Sequence, residues 1–85
     1  MSTVDIAEFL IKHKNGRPTV RALQAILRSA CTSERNGGKG HVIYEFSFTD
    51  KHFSLAGVKH ENKQVTPGCW ATFRQLAAEQ APVPG

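Results

Sequence analysis

A run of glycines broken by one lysine leads straight into a histidine: Gly37-Gly38-Lys39-Gly40-His41. Each of these residue types contributes something to phosphate chemistry. An imidazole titrates close to neutrality and can take or release a proton. Glycines let backbone N–H groups approach a phosphate oxygen, and Lys39 adds positive charge beside them. The run is not a P-loop, because it lacks that motif's spacing and terminal Lys-Ser/Thr. An ordinary turn followed by a solvent-facing strand residue fits the same letters.

His60 is the second candidate, in GVKHENK between Lys59 and Lys63. If the segments ahead of it form a hairpin, the start of one strand and the end of the next share one end of the sheet. That geometry would gather His41 and His60, with Lys39, Lys59 and Lys63 as phosphate contacts, around a reacting oxygen. Two unrelated surface histidines fit equally. His52, in the expected turn, and His13, at an expected helix end, are explained by position. Arg35 and Arg74 rank behind the lysines, since each can pair with an acid or face solvent. A metal site would have to join His41 and His60 to Cys31 or Cys69. No CxxC or HxxxH pair is present, so neither metal nor cofactor is expected.

The elements that must position these residues follow from spacing. Asp5 and Glu8 precede Phe9 and Leu10 in a short capped helix expected over 5–14 and ended by Asn15, Gly16 and Pro18. Thr19 caps a second helix with Val20, Leu23, Ile26, Leu27 and Ala30 on one side. CTSERNGGKG, residues 31–40, is expected to be a mobile or tightly turned loop, with at most a short strand around 31–35. HVIYEFSF, residues 41–48, alternates as a strand with Val42, Tyr44, Phe46 and Phe48 on a core. TDKH is a turn and FSLAGV a second, antiparallel strand. Thr66 caps a last helix with Pro67 in its first turn. Trp70, Phe73, Leu76 and Ala77 then follow at core spacing rather than as base-stacking residues. The expected fold class is α+β, a small antiparallel sheet with helices on one face and an extra N-terminal helix. Residues 1–16 form the N-terminal helical extension, 17–80 the basic domain and 81–85 a flexible tail.

The 85 residues suffice for a single core and are too few for two. Eleven Lys and Arg against seven Asp and Glu give a net charge of +4, which favours nucleic acid or an acidic protein as partner. Apolar runs are only a few residues long, well short of the about 20 a membrane helix needs. The N-terminus does not resemble a signal peptide. The two cysteines are far apart and read as reduced free thiols, buried or half-buried, so a cytoplasmic location is expected.

TVRALQAILRSA, GKGHVIY, FSLAGVKH and VTPGCWATFRQLAAE together resemble the HicA family, small mRNA-interferase toxins of toxin–antitoxin systems. The resemblance runs from about Thr19 to Glu79. The family's glycine, small hydroxyl residue and histidine fall on Gly38 or its neighbours, Lys39 or Gly40, and His41. Its later histidine falls on His60, and its turn before the last helix on Pro67 and Gly68. Gly40 stands where the family has Ser or Thr. The resemblance implies a double-stranded-RNA-binding-like fold of helix, three strands and helix. It also implies a HicB-like antitoxin partner and metal-independent cleavage of RNA with His41 as general acid or base. A noncatalytic RNA-binding module or a small protein-interaction domain are the alternatives.

Overall fold

Two threonines set the starts of the two long helices. The computed structural model describes residues 6–80, in the order α1 (Ile6–Lys12), α2 (Val20–Ala30), β1 (Ser33–Gly38), β2 (His41–Glu45), β3 (His52–Leu55) and α3 (Pro67–Gln80). The Thr19 hydroxyl accepts from the Ala22 amide at 3.1 Å, and the Thr66 hydroxyl accepts from the Cys69 amide at 3.1 Å. Each bond satisfies one of the amide donors that a helix start leaves without an internal partner. The expected caps and the Pro67 position are therefore present. The Asp5 cap and the 81–85 tail lie outside the described residues.

The three strands form one antiparallel sheet in the order β1-β2-β3. Val42 lies opposite Leu55 and Tyr44 opposite Phe53, so these four share a face. Against that face pack Val20, Leu23 and Leu27 of α2 and Trp70, Phe73, Leu76 and Ala77 of α3. α1 rests mainly on α3: Ile6 is only 4% exposed, and the Phe9 ring meets Trp70 and Phe73 edge-on. Over the described residues the chain is thus a small α+β domain with three helices and a three-stranded antiparallel sheet. Among the described residues, no helix is long and apolar enough to cross a membrane.

Three expectations need correction. The 31–40 segment is mostly a strand reaching Gly38, although every β1 residue is exposed. Its ladder to β2 supplies the order that an apolar pattern would normally announce. β2 ends at Glu45 rather than Phe48, because β1 starts opposite Glu45 at Ser33 and β3 starts opposite it at His52. Beyond Glu45 neither neighbour offers a ladder partner, so Phe46 and Phe48 turn inward in a loop with ring centroids 5.2 Å apart. His52 therefore opens β3 instead of lying in a turn, and β3 stops at Leu55 rather than Val58.

β1 is tied to the helical layer at one point. The Tyr44 hydroxyl, on a fully buried ring, donates to the Glu34 carboxylate at 2.9 Å and accepts from the Gln24 amide at 3.2 Å. Arg28 donates to the same carboxylate oxygen at 2.9 Å. The Arg28 hydrogen bond, seconded by Tyr44, holds the Glu34 carboxyl below the usual carboxylate range. Glu79 is held low in the same way by Lys51 and then Thr49.

A carboxyl lowered on folding keeps its stabilising effect above the ordinary glutamate value of about 4.3 and loses it as pH falls through the lower folded value. Urea unfolding of the wild type is expected to show a midpoint that declines below about pH 5. Glu34→Gln should decline less steeply over that range. Equal slopes in both proteins would show that Glu34 carries none of the acid sensitivity.

Candidate functional site

β1 and β2 are joined by two residues only, because Gly38 lies opposite His41 in the ladder. Both connecting residues have positive φ, 53° at Lys39 and 78° at Gly40. That is what a type I′ hairpin turn requires, and it matches the right-handed twist of the strands. Gly40 adopts it freely, whereas the Cβ of Lys39 makes it cost roughly 1–2 kcal/mol. The register slips between Asn36 and Gly38, leaving Gly37 as a bulge. A Cβ on Gly37 would lie 2.9 Å from Cδ1 of Ile43 and 3.6 Å from Cβ of His41. The Asn36 side chain closes the bend by accepting from the Gly38 amide at 2.9 Å.

The other wall comes from the segment after β3. This loop is fixed to the start of α2, whose Val20 and Arg21 amides donate to the carbonyls of Lys63 and Glu61 at 2.8 and 2.9 Å. The Val65 amide donates to the Pro18 carbonyl at 3.0 Å, and Arg17 Nε to the Val65 carbonyl at 2.8 Å. A polar stretch that reads as a free loop is thus anchored at several points.

Between the hairpin tip and this loop lies an open groove of about 560 Å³, lined by Arg35, Asn36, Lys39, His41, Val58 and Lys59 among others. His41, Lys39 and Lys59 are exposed. Neither lysine has an acidic partner among the described residues, whereas Arg35 is paired with Glu45 at 3.2 Å. Glu34 also lines the groove, but its carboxylate is bonded to Arg28 and Tyr44, so Lys39 and Lys59 leave the groove net positive beside an accessible imidazole.

His60 and Lys63 are placed differently from the expected single cluster. They line a smaller, mostly apolar groove of about 190 Å³ with Val20, Gly57, Thr66 and Cys69. Because Lys59 and His60 are consecutive, the two grooves abut, but the two histidines face different ones. His52 is exposed at the start of β3, and the His13 ring lies 4.6 Å from Phe9, at the end of α1. A third groove, of about 450 Å³ between α1 and α3, has His13, Lys14 and Arg74 on its walls.

Both cysteines are free and half-buried. Burial raises the Cys31 thiol, with the Glu34 charge adding to it, and burial raises Cys69 as well. Neither is set up as a thiolate nucleophile. Among the described residues no group of three or more His, Cys, Asp or Glu is placed to hold a metal ion. Arg35, ranked behind the lysines by residue type, lines the main groove, and Asn36 and Val58, which residue type did not single out, complete it. Asn36 precedes the tight turn and Val58 follows β3, beside Lys59.

Compared with protein-family models, curated proteins and solved structures, the chain gives no match.

Replacing Lys39 by Asn would create the Asn-Gly pair that type I′ turns favour. Lys39→Asn is expected to raise stability by roughly 0.5–1 kcal/mol, as part of the left-handed strain is relieved. Chemical denaturation measures this. A loss of stability would show that Lys39 makes contacts that outweigh its strain.

Proposed function

We propose that this chain is a HicA-like endoribonuclease that cuts RNA without a metal, with His41 as general acid or base. The observation that carries this reading is the shared groove, lined by an exposed imidazole and a lysine at the hairpin tip and by a second lysine on the loop after β3. The element order from α2 to α3, helix, three strands and helix, supports a double-stranded-RNA-binding-like arrangement.

In the proposed reaction the ribose O2′ attacks the adjacent phosphorus and the P–O5′ bond breaks. His41 takes the O2′ proton or supplies the O5′ proton, and Lys39 and Lys59 stabilise the charge that builds on the phosphate oxygens. His60 and Lys63, in the abutting groove, serve the RNA to one side of the cut, and the second proton is exchanged with solvent. The natural partner on this reading is a HicB-like antitoxin that covers the basic groove, and the setting is the cytoplasm.

One observation favours a noncatalytic RNA-binding module instead. Gly40 gives no hydroxyl immediately before His41, where the resembled family has one.

The test is cleavage of mixed-sequence RNA in EDTA by the wild type and by His41→Ala, with circular dichroism on both. The expected result is cleavage by wild type and a fall of about 10²–10⁴-fold in a folded variant. Equal rates in the two proteins would remove His41 from the chemistry. No cleavage by either, with both folded, would overturn the nuclease reading in favour of a noncatalytic RNA- or protein-binding domain.

A further inference from the structure

We infer that the RNA recognised by the His41 groove is a duplex read through its backbone, and that cutting falls at an unpaired nucleotide adjoining that duplex. This rests on the proposed function and narrows its substrate class.

The chain has five phenylalanines, one tyrosine and one tryptophan, and all seven lie among the described residues. Tyr44, Phe46, Phe53, Trp70 and Phe73 are buried, and Phe9 and Phe48 pack half-buried against them. None lines the groove. Proteins that hold single strands combine a basic track with aromatic faces on which bases stack. Here the basic track is present, every Phe, Tyr and Trp packs in or against the core, and the one ring on the groove is the His41 imidazole, which the proposed chemistry uses. The one guanidinium on the groove that could lie flat on a base, Arg35, is held by Glu45.

What the groove offers is suited to phosphates and ribose hydroxyls: Lys39 on a projecting two-residue turn, Lys59 on an anchored loop, and the Asn36 side chain. A-form RNA presents those groups along its wide minor groove, in a pattern set by shape rather than sequence. Attack by O2′ needs O2′, phosphorus and O5′ in line, which regular stacking in a duplex prevents. An unpaired nucleotide can reach that geometry. The O2′–P bond then forms as P–O5′ breaks, one proton leaves O2′ and one reaches O5′. No water is consumed, and the ends are a 2′,3′-cyclic phosphate and a 5′-hydroxyl.

The experiment uses three RNAs: a blunt duplex of about 20 base pairs, the same duplex with a central bulge, and one of its strands chosen to be unstructured. Binding to full-length His41→Ala is measured by fluorescence anisotropy at one fixed salt concentration, and cleavage by the wild type on all three. Both duplexes are expected to bind about ten-fold or more tightly than the single strand, and only the bulged duplex is expected to be cut, at the bulge. Equal or tighter binding of the single strand, or cutting spread along it, overturns the inference while leaving the nuclease reading intact. Duplex preference with no cleavage of any RNA overturns the nuclease reading and the cutting half of the inference, and supports the ligand class alone.

Discussion

Everything at the hairpin end of this molecule depends on how β1 is held, because β1 buries none of its side chains. Its ladder to β2 fixes its register, but as an edge strand with every side chain exposed it gains no hold from the core. Glu34 supplies the missing link: its carboxylate takes one hydrogen bond from the buried Tyr44 and another from Arg28 near the end of α2. Glu34 and Arg28 are themselves exposed; the hold comes from Tyr44, whose buried ring fixes the hydroxyl that donates to the carboxylate. From that point the strand runs to Gly38, and the tight turn carries Lys39 and His41 to the groove.

The opposite wall is set by the other end of the same helix. The first amides of α2, which would otherwise lack partners, bind the carbonyls of Glu61 and Lys63, and so hold the loop that carries Lys59 and His60. α2 is therefore the common reference for both walls, with Arg28 fixing the hairpin and Val20 and Arg21 fixing the loop. Leu23 and Leu27, essentially without solvent exposure, root that helix in the core. Lys39 is the exception to the ease of the arrangement, as it keeps a left-handed backbone that Asn or Gly would adopt at less cost. Strain retained at an exposed tip is consistent with a role for its side chain.

Helices α2 and α3 were legible in the sequence because caps and apolar spacing agree there, with Thr19 ahead of Val20, Leu23 and Leu27, and Thr66 ahead of Trp70 and Phe73. β1 was not, since SERNGG has no apolar alternation and owes its extended form to β2. The end of β2 was also hidden: HVIYEFSF alternates throughout, yet strand length is set by neighbours that both stop opposite Glu45. His41 and Lys59 could be placed near each other from a hairpin argument. The turning of His60 into a separate groove could not, because it follows from hydrogen bonds between the loop and a helix start some 40 residues away in sequence.

The proposed nuclease activity requires RNA to meet this protein at the hairpin tip and the loop beside it. Amide chemical-shift mapping of isotopically labelled His41→Ala with an RNA duplex tests it most directly. The expected result is perturbation concentrated at Arg35 to Val42 and at Val58 and Lys59, fading through His60 and Lys63. Largest shifts at Lys14 and Arg74, in the groove between α1 and α3, with the hairpin tip unmoved, would contradict it.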